Sequence, residues 1–124
     1  MHGAFAWNEL MTNDVERAKG FYATTLGWTY QAMPMPEGTY WLAKAGDKTV
    51  GGLTTIEGFA PPGTPPAWFA YLEVDDVDAR IKGLAAAGGR LIRPPFEVPT
   101  VGRIAIVADA TGAMLGWITF PTKP

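Results

Sequence analysis

The two halves of this 124-residue chain repeat one another, and the repeat limits the folds open to it. Asp14-Val15 returns as Asp76-Val77, an offset of 76 − 14 = 62, and the same offset carries Leu10 to Leu72, Ala23 to Ala85 and Gly27 to Gly89. It also carries Trp7 to Phe69, aromatic to aromatic. Self-similarity at this spacing predicts one supersecondary unit used twice.

Hydrophobic periodicity supplies the contents of the unit. Phe5 to Met11 alternates, with Phe5, Trp7, Glu9 and Met11 on one face and Ala6, Asn8 and Leu10 on the other, as a strand requires. A helix is predicted from Asn13, where Asn13 and Glu16 have capping-box spacing. Val15, Ala18, Tyr22 and Leu26 form its apolar stripe, and Gly27 stops it. Strands are predicted at Trp28–Met33, Thr39–Ala45 and Thr49–Ile56, with turns at Pro34–Gly38 and 46–48. The second half repeats the order. A strand at Trp68–Val74 has Phe69, Tyr71 and Glu73 on one face. A helix capped by Asp75 carries Val77, Ile81 and Leu84 and ends at Gly88-Gly89, and strands follow at Arg90–Ile92, Arg103–Ala108 and Met114–Phe120. The prediction is a single α+β domain: module one over 4–58, a Pro-rich connector over 59–66 and module two over 67–120.

The helix-facing sides of the first strands are small or aliphatic, while the opposite sides are aromatic and partly acidic. If the sheets curl, those opposite sides line a cup, where a small ligand would go. Trp7, Trp41 and Phe69 could stack on a planar ligand or pack in a core; Tyr40 and Trp41 alternate, so only one of them can point inward. Glu9 shares the face of Trp7. Apolar walls there would raise its pKa and suit it to act as a general base or an acceptor, or it is a structural carboxylate with a partner. Tyr71 projects like Glu9 and could anchor a ligand oxygen, and Arg103 could give the cup a cation or lie on the surface. The stretches Met33–Gly38 and Pro94–Gly102 are either lids or stiff turns.

Composition excludes several chemistries. There is no cysteine and no serine, so thiolate sites, disulfides and a Ser-His-Asp set are impossible. The one histidine, His2, is read as a residue of a frayed terminus. A net charge of -2 leaves no basic surplus for nucleic acid, and no apolar run suits a membrane span or a signal peptide; a cytoplasmic location is expected.

Asp14-Val15 opening a helix, Phe21-Tyr22 and Leu26-Gly27-Trp28 closing it, then Val74-Asp75-Asp76-Val77, Gly88-Gly89 and Asp109-Ala110-Thr111-Gly112 together resemble the vicinal oxygen chelate superfamily of glyoxalases, bleomycin-resistance proteins and extradiol dioxygenases. The resemblance covers nearly the whole chain. It implies two βαβββ modules forming a curved mixed sheet around a cup, and commonly a homodimer. In metal-using members it implies His or Glu ligands at one position on the first and last strand of each module. Those positions fall on Trp7, Phe69, Gly116 or its neighbour, and Thr54 or, with a different turn length, Gly52. Indole, phenyl and glycine are not metal ligands, and threonine is a poor one, so no metal and no cofactor are expected. The late turn also departs from the family's Pro-Asp-Gly-like form. Three functions follow as expectations. The first is a metal-independent protein binding a small planar or apolar ligand through Trp7, Glu9, Trp41, Thr54, Phe69, Tyr71 and Arg103. The second is a glyoxalase-like lyase or isomerase using Glu9, with Tyr71, in catalysis. The third is a dimeric interaction or scaffold protein.

Overall fold

A computed structural model describes residues 1–35, 38–58, 60–98 and 101–121. The chain forms two compact units, Trp7–Trp68 and Phe69 onward, the latter including Met1–Ala6. Each carries the same βαβββ plan.

In the first unit β1 (Phe5–Thr12) leads to α1 (Val15–Leu26), and β2 (Thr29–Met35), β3 (Gly38–Ala45) and β4 (Lys48–Thr55) follow. The strand order is β2-β3-β4-β1, with β1 parallel to β4 and the other pairs antiparallel. A parallel pair needs a long crossover, and α1, β2 and β3 supply it. Leu10, Ala43 and Leu53 are buried beneath α1, with Val15, Ala18 and Tyr22 of the helix packed on them. Removing a leucine of this kind from water contributes about 2 kcal/mol. Leu26, assigned to the apolar stripe, is 59% exposed, because the helix ends there. Gly27 closes α1 in the left-handed region at φ 73, and its N–H reaches the carbonyls of Tyr22 and Ala23. The N-cap is Asp14 rather than Asn13: the Asp14 side chain accepts from the Arg17 N–H at 3.1 Å.

The second unit contains β5 (Ala67–Glu73), α2 (Val77–Ile81), β6 (Arg90–Val98), β7 (Gly102–Ala108) and β8 (Met114–Thr119) in the order β5-β8-β7-β6. Val74, Val77 and Ala105 form its helix-side core, with Ile81 and Trp117 against them. The cap of α2 is Asp76, which accepts from the Ala79 N–H; Asp75 instead pairs with Arg80 through both carboxylate oxygens at 2.8 Å. After Ile81 the chain continues as tight turns rather than as α-helix, and these keep Leu84 buried.

Two predicted turns prove to be strand. β2 continues through Pro34 to Met35, and β6 continues through Pro94-Pro95 to Val98. Each lies at the outer end of its unit's strand order, where alternate N–H groups have no ladder partner, and Pro94-Pro95 fall where β6 breaks register between Arg93 and Phe96, after an earlier break between Leu91 and Arg93. The rest of those expected turns, residues 36–37 and 99–100, and connector residue 59 lie outside the described residues. His2 is tied down rather than frayed: its Nδ1 accepts from the Asp75 N–H at 3.0 Å, and residues 3 and 4 exchange backbone hydrogen bonds with Glu73.

Candidate functional site

The strand ladders assign every predicted residue to a face. Glu9 lies opposite Gly52 and Met11 opposite Thr54 on the side of the first unit's sheet that α1 does not cover. Leu42 is also opposite Gly52, so Tyr40, two residues earlier, shares that side, as does Trp7. Trp41 is opposite Leu53 and packs in the helix-side core. The Lys19 ammonium sits 3.2 Å from the centre of its ring. Trp41 is therefore not on the Glu9 side: alternation sends Tyr40 there instead.

Trp7, Tyr40 and Glu9 form a hydrogen-bonded chain. The Trp7 Nε1–H donates to Tyr40 Oη at 2.8 Å, and the Tyr40 O–H donates to Glu9 Oε2 at 2.8 Å. An indole N–H can only donate, so Tyr40 must spend its own proton on Glu9; the direction of the chain is fixed by the chemistry of its members. Burial, and then the Glu9 charge, push the Tyr40 hydroxyl well above the ordinary phenol range, so it remains a donor. Glu9 itself is 7% exposed. Sequence reasoning singled out Glu9 and Trp7 but took Trp41 rather than Tyr40 for this side; the signal was the Tyr40/Trp41 alternation, which needed the strand phase to resolve.

In the second unit Tyr71 is opposite Gly116, on the side away from Val77 and Ala105, and both Phe69 and Tyr71 are buried. Their cross-sheet neighbours on that side include Ile104, opposite Ile118, and Ile106, opposite Gly116. Arg103 is not among them. It lies opposite Thr119 on the helix side, where its guanidinium makes two bonds to Asp78 of α2, at 2.6 and 3.0 Å, and one to Glu97 at 3.3 Å. The Asp78 and Glu97 carboxylates raise the Arg103 pKa, as for a structural ion pair on the surface.

The register also settles which residue corresponds to Gly116. Glu9 and Tyr71 differ by 71 − 9 = 62, but their cross-strand partners differ by 116 − 52 = 64. The slip is already present between Leu42 and Ile106, again 64 apart, so it arises before β7, where β6 bulges around its prolines. Gly52, not Thr54, is the counterpart; Thr54 is a buried neighbour two residues on. The positions at which the resemblance would hold a metal thus carry an indole, a phenyl ring and two glycines, and these do not fit a metal ion. Among the described residues no three His, Cys, Asp or Glu side chains form a group that could hold one.

A hollow of about 680 Å³ lies on the helix side of the first unit, lined by Leu10, Arg17, Phe21, Tyr22 and Trp68 among others. Trp68 Nε1–H donates to Tyr22 Oη at 2.9 Å, and the Trp68 ring meets Tyr22 and Trp28 edge-on. Among the described residues no helix is long and apolar enough to cross a membrane.

Residues 4–116 match the model of the Glyoxalase/Bleomycin resistance protein/Dioxygenase superfamily. The chain is 37% identical over 112 residues to "Putative glyoxylase CFP32" of Mycobacterium tuberculosis, covering 89% of this chain and 43% of that protein. It is 32% identical over 123 residues to anthracycline biosynthesis protein DnrV of Streptomyces peucetius, covering 90% and 45%. It therefore spans less than half the length of these relatives. Among solved structures, methylmalonyl-CoA epimerase of Mycobacterium tuberculosis aligns with a TM-score of 0.63 at 17% identity, covering 96% of this chain and 89% of that one. Protein BH1468 of Bacillus halodurans aligns at 0.68 and 12% identity, covering 100% and 99%. These two likenesses show the fold alone. With its paired βαβββ units and a family match over most of its length, the chain belongs to the glyoxalase/bleomycin resistance protein/dioxygenase superfamily.

Proposed function

We propose that this chain is a metal-independent member of its superfamily that binds a small, planar or apolar ligand. The ligand is held by the side of the first unit's sheet that carries Trp7, Glu9 and Tyr40, with Thr54 as a further contact; Phe69 and Tyr71 form the corresponding aromatic surface of the second unit. One observation supports the reading above the others: a buried carboxylate held by a phenol, itself held by an indole, stands on the face where the resemblance would place metal ligands. Aromatic rings give such a ligand broad contact area at low entropic cost, and the carboxylate accepts from a donor on it. A glyoxalase-like lyase or isomerase activity is the extension of the same site, with Glu9 as the base.

The test combines elemental analysis with a thermal-shift titration against planar aromatic and short-chain carbonyl compounds. A binding compound raises Tm by mass action, and Trp7→Ala and Glu9→Gln diminish the rise. Stoichiometric Zn, Ni, Mn or Fe bound to purified protein, or a Tm rise indifferent to Trp7 and Glu9, would sink the proposal. A second reading, self-association into a homodimer, is favoured by the exposure of Phe5 (78%), Phe21 (59%) and Leu26 (59%). Light scattering that gives the monomer mass at all concentrations would exclude it.

A further inference from the structure

Gly52 and Tyr40 interlock. A Cβ built on Gly52 would lie 1.8 Å from Tyr40 Oη, 2.2 Å from Cζ and 2.5 Å from Cε1. No real side chain tolerates such contacts, so the phenol ring fills the space that any side chain at position 52 would need. Nor can the ring simply swing aside, because its hydroxyl is fastened at both ends, to the Trp7 N–H and to Glu9 Oε2. Moving it breaks two partly buried hydrogen bonds at once.

We infer that Tyr40 stands where a last-strand metal-binding side chain would have to be, and that it is a positioning residue for Glu9, fixing one carboxylate oxygen on the side of the sheet that α1 does not cover. The glutamate side chain has several rotatable bonds, and a tethered oxygen removes the rotamer freedom that a ligand would otherwise have to suppress. Trp7 acts one step further out. By donating to Tyr40 Oη it leaves the phenol proton pointing at Glu9. Glycine at 52 and tryptophan at 7, the first unit's residues at the positions where the resemblance would hold a metal, are then also what make room for the tyrosine and orient it. The same replacement in the second unit is simpler: a Cβ on Gly116 would lie 2.4 Å from two carbons of the Tyr71 ring.

The inference deepens the proposed ligand site and rests on that reading for its functional meaning, but its test uses ligand-free protein. The first measurement is a double-mutant cycle. Gly52→Ala should lower Tm by on the order of 10 °C in the wild-type background, and by a small fraction of that when Tyr40 is already alanine. Equal losses in both backgrounds overturn the interlock. The second is an NMR titration of the Glu9 side-chain carboxyl in wild type and in Tyr40→Phe, which keeps the ring and removes only the hydroxyl. Loss of the donor should move the Glu9 titration to higher pH by roughly 1–2 units, the equivalent of one hydrogen bond to a charged acceptor, and should shift the Trp7 indole N–H resonance. An unmoved Glu9 titration reduces Tyr40 to packing and overturns the positioning role. If these outcomes hold while no compound binds, the ligand-site reading fails and the inference stands.

Discussion

The two units are built on one plan and differ in what they do with the same glycine. In each, the parallel pair of first and last strands sets a glycine opposite the polar or aromatic residue of the first strand, Gly52 opposite Glu9 and Gly116 opposite Tyr71. In the second unit the roof over the glycine is Tyr71 of the opposing strand, with Ile104 and Ile106 beside it. In the first unit the opposing residue is a carboxylate, and the roof comes from Tyr40 on β3, whose hydroxyl is held between Trp7 and Glu9. The scaffold therefore asks for a ring above a glycine and is indifferent to which strand supplies it. In the first unit the ring is supplied together with a polar chain that ends on the opposing carboxylate. Their helices differ in the same direction: twelve residues in α1, and five in α2 before the chain tightens into turns.

That comparison can be broken or sharpened by experiment. The largest effect is expected at Leu53, the larger of the two fully buried members of the first unit's helix-side core, whose counterpart cluster in the second unit has Ala105 as its fully buried member. Leu53→Ala should cost about 2–5 kcal/mol in urea unfolding. A loss near zero would mean that the first unit's core is plastic. Gly116→Ala should come next, at about 2 kcal/mol through overpacking against the Tyr71 ring, a loss comparable with that of Gly52→Ala against the Tyr40 ring. If Gly116→Ala proves the costlier, the two roofs are not equivalent. A smaller effect, about 1 kcal/mol, is expected for Asp14→Ala through the lost cap of α1.

Two effects of pH follow. Tyr40 has a folded pKa raised above the ordinary 10.0, so the folded state keeps a proton that the unfolded state releases, and stability falls as pH rises past 10. Alkaline unfolding of Tyr40→Phe should show a shallower decline than wild type; identical profiles would remove Tyr40 as its source. The smallest effect is acidic. Asp75, held down to about 2 by its hydrogen bonds to Arg80, supports stability above its ordinary value of 3.8, and that support disappears as pH falls from about 4 to about 2. Arg80→Gln should flatten that limb slightly, because the pair is exposed and solvent screens it.

Much of the architecture was legible without coordinates. The offset of 62 between Asp14-Val15 and Asp76-Val77, the alternation from Phe5 to Met11 and the glycine after Leu26 encode period and punctuation, which are local properties of a chain, and they gave both units and the helix-facing side of each first strand. The absence of side-chain ligands at 7, 69 and 116 was equally a matter of residue type. What needed the tertiary structure was phase and register. Bulges around the prolines of β6 moved the true counterpart of Gly116 from 54 to 52. The α1 packing drew Trp41 inward and left Tyr40 to meet Glu9, and Asp78 drew Arg103 to the outside. A bulge or a partner across the sheet changes which face a residue occupies without altering the local pattern around it, and for that reason the Trp7–Tyr40–Glu9 chain existed only once the strands were paired.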